Sequence, residues 1–291
     1  MASFALGQVK IAQISDPHIG LERAPGGSQQ LRRVVQMVNQ DNPDIVVVTG
    51  DVGERESAWE EAREILKGLK AKVYYIPGNH DVHTSGTGKW RGVFGDDYYK
   101  IQVKNVTIYA LDSQLLGNWD KFEKTMAPTP QNVQAEGDKM LDWLAGQGGG
   151  ENRGHGKDHD KDRNDKKNGG GKEKDRGRGD DDHGGGEHGN VVLAMQHVPA
   201  YRDGDFPSDG KQYWTVPEPN SSREVQIFKK LGIRDVLVGH WHDGRVFKAQ
   251  GITWHAAPST SWSPFGSKLG YAVHTVSASG DVKTEFVPLK Q

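Results

Sequence analysis

The chain is predicted to fold as an α/β protein, a four-layer αββα sandwich in which two packed, mixed β-sheets are flanked by helices. Three observations carry that prediction. The first half alternates β-branched runs with amphipathic stretches, the rhythm of parallel strands joined by right-handed crossovers. The second half holds further short strands, closely spaced and separated by Gly, Pro or Ser. Several of these runs stop at Asp, Asn or His beside Gly or Pro, where an open α/β sheet presents its ligand crevice.

The elements follow in order. Val9–Ile14 reads as the first strand, and SQQLRRVVQMVNQ as an amphipathic helix with Ser28 as its N-cap. Ile45–Val48 is a second strand. The helix SAWEEAREILKGL follows, with Ser57 as cap and Glu60 three residues on, a capping-box pattern. Val73–Ile76 is the third strand. YYKIQV and VTIYALD read as a strand pair turning at Lys104-Asn105, ahead of a helix in NVQAEGDKMLDWLAG. NVVLAMQH and RDVLVGH open a second set of strands. RVFKAQ, ITWHAAP, YAVHTVS and KTEFVPL are expected to close that second sheet as antiparallel hairpins.

One domain is expected over 1–291, interrupted at 148–189 by a low-complexity insertion. About a third of that segment is Gly, half is charged, and it holds no aliphatic or aromatic residue. Such a composition cannot bury enough apolar surface to offset the entropy of ordering it. It reads as a disordered surface loop, which a fold tolerates because closure entropy grows slowly with length. His155, His159, His183 and His188 lie there among Asp residues, so a weak metal-collecting tract is the sharper reading and a solubilising linker the blander, favoured one.

Composition narrows the function classes. A net charge of −2 with interspersed signs leaves no basic stripe for nucleic acid. The absence of cysteine excludes disulfide scaffolds, thiolate zinc sites and cysteine nucleophiles. MASFALGQVK lacks the pattern of a signal peptide, and no apolar run is long enough to span a bilayer. A soluble, cytoplasmic protein without membrane contact is expected, its oligomeric state open.

Seven residues suited to a metal pair fall at the ends of these strands. They are Asp16 and His18 in ISDPH, Asp51 in VVVTGD, Asn79 in YYIPGNHD, His197 in VVLAMQH, and His240 and His242 in VLVGHWH. Each alone has a plainer reading: a helix cap, a turn residue or a hydrogen-bonded core histidine. Their joint occurrence at strand ends is what points to a site, since carboxylates, amides and imidazoles from separate strands are what a two-metal hydrolase requires. His255 and His274 lack such company and read as ordinary sheet residues, whereas Asp81 and His83 fall near the same pocket.

The series Asp-x-His, Gly-Asp, Gly-Asn-His-Asp, strand-terminal His and Gly-His-x-His resembles the calcineurin-like metallophosphoesterases over nearly the whole chain except 148–189. GNHDV, FGDDYY, LDSQ, LDWL, QHVPAY and LGIRDVLVGHWH are similar to the branch containing calcineurin-like phosphoesterase domain-containing protein 1. The resemblance implies that Asp16, His18 and His242 hold one metal ion and Asn79, His197 and His240 another, with Asp51 bridging. It implies that His80 contacts the substrate, with Asp81 as its orienting partner. Two divalent or transition ions such as Mn, Fe or Zn suit that donor set. The implied activity is hydrolysis of phosphate esters by a metal-activated water or hydroxide, on phosphorylated small molecules or phosphoproteins. A phosphodiesterase for cyclic nucleotides or other small diesters uses the same motifs, and a non-catalytic binding scaffold is the remaining alternative. Arg23, His83, Lys89, Tyr201, Trp214, Trp241 and Trp262 are candidates for the pocket wall.

Overall fold

Strand and helix alternate from the N-terminus as β1 (Val9–Ile14), α1 (Gly27–Asp41), β2 (Ile45–Thr49), α2 (Glu56–Leu66) and β3 (Lys72–Ile76). Two short helices, α3 (Asn79–Val82) and α4 (Gly86–Phe94), lead to the hairpin β4 (Tyr99–Val103) and β5 (Val106–Ala110). Then come α5 (Gln131–Gly146), β6 (Val191–Met195), α6 (Asn220–Lys230) and β7 (Asp235–Val238). The hairpins β8 (Arg245–Ala249) with β9 (Ile252–Ala256), and β10 (Gly270–Val276) with β11 (Val282–Pro288), complete the chain. This computed structural model describes residues 8–82, 86–119, 127–149, 190–206 and 210–290. Apart from Gly148 and Gly149, the predicted insertion lies outside the described residues, as does His83.

Two sheets result, ordered β11-β10-β1-β2-β3 and β4-β5-β6-β7-β9-β8. Three apolar clusters fill the three spaces between the four layers. One joins α1 and α2 to the outer face of the first sheet through Leu31, Val34, Val38, Trp59 and Val46. A second lies between the sheets and includes Ile11, Val47, Ile108, Leu193 and Leu237. The third joins α5 and α6 to the second sheet through Leu141, Leu144, Phe228 and Val236. In α1 the buried Leu31, Val34, Val35 and Val38 recur at helical spacing. Truncating Leu31 to Ala would cost about 2–5 kcal/mol through lost burial and the cavity left behind. Asn42, left-handed at φ 50°, ends the helix by donating its N–H to Val38 O.

Three sequence-level expectations need correction. Ser28 and Ser57 are not caps: both lie inside their helices, which start at Gly27 and Glu56 behind Gly26 and Arg55, without a side-chain cap bond. Gly27 fits tightly against the Pro17 carbonyl, and the helix opens two residues earlier than a Ser28 cap would place it. Ser57 Oγ instead accepts from Arg55 Nε at 3.1 Å. The last four strands do not all join the second sheet. β8 and β9 do, but β10 and β11 return to the first, where β10 runs antiparallel to β1 with Ala12 opposite Val273. Alternation of apolar residues reveals faces but not partners. By pairing with β10, β1 is shielded from becoming an open sheet edge.

The branch motifs prove to be largely structural. Asp97 of FGDDYY accepts two bonds from Arg91, at 2.8 and 2.9 Å. Asp112 of LDSQ takes the N–H of Gln114 at 2.9 Å and caps a short 3-10 turn. Burial, then the neighbouring Asp97, raises the Asp112 carboxyl well above the usual range.

Candidate metal centre

The residues after β1, β2 and β3 of one sheet and after β6 and β7 of the other converge at one edge of the sandwich. Asp16, His18, Asp51 and His242 present donor atoms within 4.8 Å of one another, as do Asp51, His197 and His240. Five of these residues have backbones in the left-handed region: Asp16 at φ 52°, His18 at 45°, Asp51 at 50°, His240 at 68° and His242 at 55°. Few residues other than Gly adopt that region, and such strain gathers where function requires it. The motif glycines permit the close approach of these loops. A Cβ on Gly78 would collide with Asp51, and one on Gly239 with Ser15 and Asp16.

Each imidazole spends one nitrogen on a fixed acceptor, which sets its tautomer and aims the other nitrogen inward. His18 Nδ1 donates to Glu54 Oε1 at 2.9 Å and His242 Nδ1 to the Trp262 carbonyl at 2.8 Å. His197 Nδ1 donates to Thr49 O at 2.7 Å and His240 Nε2 to Tyr213 O at 2.8 Å. The Nε2 atoms of His18 and His242 therefore face each other at 3.1 Å, with Asp16 Oδ1 3.1 Å from the latter. Asp51 Oδ2 lies 3.5 Å from His18 Nε2 and 3.3 Å from His197 Nε2, reaching both groups. Tyr213 Oη accepts from Asn79 Nδ2 at 2.8 Å, which turns Asn79 Oδ1 toward His197 Nε2 at 3.1 Å.

This donor set fits metal cations. Two fully buried carboxylates are costly without positive charge between them. The titration behaviour agrees. Burial lowers His18, and burial with the neighbouring His197 lowers His240 to about 3. Both are thus held neutral, as ligation requires. Burial opposes protonation of His197 as well, but the Asp51 charge outweighs it and pushes that group up to about 9.

Glu54 is the residue the sequence reading missed. Its carboxylate joins His18 Nδ1 at 2.9 Å to His80 Nδ1 at 3.0 Å. Burial works against its charge, but the two histidines hold it down at about 2. Asp51 and Glu54 in turn overcome burial to raise His80 to about 9. Asp81, expected to orient His80, faces elsewhere. It accepts from the N–H groups of Val52, Gly53 and Gly78 and from Trp59 Nε1. Asp81 thus ties the loops after β2 and β3 to α2, and the partner at His80 Nδ1 is Glu54. The signal was present in GDVGE, where Glu54 stands three residues beyond Asp51.

Over residues 9–244 the chain matches the family described as Calcineurin-like phosphoesterase. It belongs to that family. It is 23% identical to the serine/threonine-protein phosphatase CPPED1 of Danio rerio, an alignment covering 81% of this chain and 71% of that protein. It is also 33% identical to a probable cyclic nucleotide phosphodiesterase of Coxiella burnetii, over 25% of this chain and 32% of the relative. The chain spans about a fifth to a third of the length of the first three curated relatives it matches. Among solved structures, a dimetal phosphatase from Danio rerio shares the fold at a TM-score of 0.62 and 12% identity, covering 97% of this chain and 99% of that one.

The expected wall residues of this calcineurin-like phosphoesterase divide sharply. Trp241 is no wall: it is fully buried, stacked on Phe206 at 4.1 Å and Phe247 at 4.9 Å. Trp241 points away from the flanking His240 and His242, into the core cluster around Phe206 and Phe247. Trp214 is buried beside it and accepts its indole N–H at 2.8 Å. Tyr201 bonds Glu218 and Ser222, and Lys89 pairs with Glu56 on the surface. Trp262 does line the site, its ring 5.1 Å from that of His242, with the Arg23 guanidinium 4.9 Å above it. His255 and His274 are buried sheet residues, as expected. No helix among the described residues is long and apolar enough to cross a membrane.

Proposed function

We propose that this protein is a dinuclear-metal phosphoesterase acting on phosphomonoesters, including phosphorylated protein side chains. The observation that carries the reading is the buried donor set of two carboxylates, four imidazoles and one amide, with the Glu54–His80 pair at its edge. Asp16, His18 and His242 would hold one ion and Asn79, His197 and His240 the other, with Asp51 shared between them. Mn, Fe and Zn all suit these oxygen and nitrogen donors. When bound, such cations supply positive charge to phosphoryl oxygens and acidify water.

The remaining chemistry belongs to the chain. Glu54 holds the Nδ1 proton of His80, and Nε2 donates a proton to the departing oxygen of the substrate. Trp262 and Arg23 bound the approach to the metal centre on one side. On the other, a cleft of about 380 Å³ opens beside Asn79, lined in part by Val82, Gln114 and Trp119, with room for the alcohol portion of the ester.

The preference for monoesters rests on likeness to CPPED1 over most of the chain, against likeness to the phosphodiesterase over a quarter of it. The diester reading keeps that local support. With Trp241 buried in the core, no bulky indole from GHWH narrows the site against a second substituent. The test is kcat/KM for a phosphopeptide, an aryl phosphate, an aryl diester and a cyclic nucleotide on one Mn²⁺-loaded preparation with metal content measured. Preference for either diester overturns the monoester assignment. Hydrolysis of none by protein carrying two ions would favour a binding scaffold.

A further inference from the structure

The space between the two sheets is lined by Val9, Ile11, Val47, Met195 and Leu237, yet a continuous polar path crosses it. Asp235 Oδ1 meets His255 Nε2 at 2.8 Å, and His255 Nδ1 meets Thr284 Oγ1 at 2.7 Å. Thr284 Oγ1 meets His274 Nδ1 at 2.8 Å, and His274 Nε2 meets Gln13 Oε1 at 2.9 Å. Gln13 Nε2 donates to Thr49 Oγ1 at 2.9 Å, Thr49 Oγ1 to Ser15 Oγ at 2.8 Å, and Ser15 Oγ to Asp16 Oδ2 at 2.5 Å. Gln13, Ser15, Thr49 and His274 are fully buried, while Asp235 keeps 16% of its side chain exposed. Apolar side chains would fill this layer at no desolvation cost, so folding alone does not account for the path.

The direction of each bond from His255 Nδ1 onward follows from one fixed acceptor. Gln13 Nε2 also donates to Val238 O at 2.9 Å, and a carbonyl only accepts, so Gln13 Oε1 must be the acceptor facing His274. His274 Nε2 therefore carries a proton. Burial, then the adjacent His255, keeps His274 neutral, so its Nδ1 accepts from the Thr284 hydroxyl. Thr284 in turn accepts from His255 Nδ1. From His255 onward, all donors point toward Asp16.

The end of the path matters to the metal centre. Asp16 Oδ2 receives the Ser15 hydroxyl, while the His240 N–H is shared between Oδ2 at 3.2 Å and Oδ1 at 3.3 Å. Oδ1, which the Ser15 hydroxyl does not touch, faces His242 Nε2 at 3.1 Å. Ser15 has a second acceptor in reach, the Thr49 carbonyl at 3.3 Å. Its choice of Asp16 depends on the Thr49 hydroxyl, which Gln13 holds in place.

We propose that Gln13, Thr49 and His274 are positioning residues for metal binding, whose hydrogen-bond path across the sheet interface locks Ser15 onto one oxygen of Asp16 and so fixes Asp16 as a one-oxygen ligand. The inference rests on the metal-centre reading above. Partners that orient a ligand typically change metal affinity by about 10–100-fold when removed.

The test is calorimetric titration of the metal-free full chain with Mn²⁺, with thermal unfolding of the same metal-free samples in chelator. Gln13→Leu and Thr49→Val match the apolar layer in shape and remove the path. Both are expected to bind Mn²⁺ about tenfold more weakly. Thr49→Val leaves Gln13 Nε2 its bond to Val238 O and should keep the unfolding midpoint near wild type, whereas Gln13→Leu also strands the buried His274 N–H and should lower it. Thr49→Ser restores the hydroxyl and is expected to bind within about threefold of wild type. Unchanged Mn²⁺ affinity in Thr49→Val overturns the proposal while leaving the metal centre standing. So does a loss of affinity in Thr49→Val that merely follows a loss of stability, or one that Thr49→Ser fails to reverse. A wild-type chain that takes up no Mn²⁺ removes the metal centre and this inference with it.

Discussion

Replacing Glu54 by Gln separates the work of the carboxylate from its shape. Glu54 accepts from two imidazole Nδ1–H groups at once, at 2.9 and 3.0 Å. A glutamine offers one acceptor oxygen and one NH₂ group, so it can serve only one of them. The other histidine loses a hydrogen bond to a charged partner, worth about 1.5–3 kcal/mol. His18 is fully enclosed and fixed by its place among the other donors, whereas His80 is partly exposed, so the loss falls on His80. At about 1.4 kcal/mol per decade, kcat should fall roughly 10–100-fold with metal content nearly unchanged. The assay is kcat for a series of aryl phosphates whose phenols differ in acidity. If His80 protonates the departing oxygen, the deficit grows as the phenol becomes less acidic. In a His80→Ala background the Glu54→Gln change should add less than about threefold, since residues acting as a unit are not additive. A uniform deficit across leaving groups, or full additivity, would refute a Glu54–His80 pair acting on the leaving group.

Other consequences are open to direct measurement. Asp51→Asn removes the carboxylate that reaches both donor groups, so the purified variant should retain at most one ion per chain by elemental analysis, and two retained ions would show that Asp51 is dispensable. Glu224 is fully enclosed and burial pushes its carboxyl up to about 8, against an unperturbed value of 4.5. A raised value means its stabilising contribution is fully present below pH 4.5 and lost as the pH climbs through 8. Glu224→Gln should therefore match wild type in denaturant unfolding near pH 4.5 and exceed it by up to about 5 kcal/mol above pH 8; equal stability throughout would contradict this. Replacing residues 150–189 by a short Gly-Ser linker should leave the thermal midpoint and Mn²⁺-saturated hydrolysis intact, because no side chain there can join a core. Activity lost only at limiting metal would instead favour the histidine tract as a metal-gathering arm.

The strand-end positions of Asp16, Asp51, Asn79, His197 and His240 were legible because β-branched runs stopping at polar residues report both a strand and its terminus. Glu54 was not, since its role depends on a loop that brings its carboxylate between two histidines from different strands. Asp81 was misassigned for the same reason: adjacency in GNHD says nothing of where a side chain turns, and three backbone N–H groups claim it. Trp241 was not readable, since alternation ends with β7 at Val238 and the left-handed turns at His240 and His242 decide where its side chain goes. The return of β10 to β1 was not readable, since an apolar strand face fits either sheet.

The left-handed backbone at Asp16, His18, Asp51, His240 and His242 has an evolutionary consequence. Each such residue costs about 1–2 kcal/mol relative to a relaxed conformation, less for the aspartates. Together they are comparable with the net stability of a whole domain, on the order of 5–15 kcal/mol. Without selection for chemistry, drift to glycine at these positions would make the fold more stable. Related chains that have kept the sandwich only as a platform should therefore carry glycine at the turns where this one carries histidine. On that ground, glycine in place of these positive-φ histidines would mark a relative that has kept the fold without the chemistry.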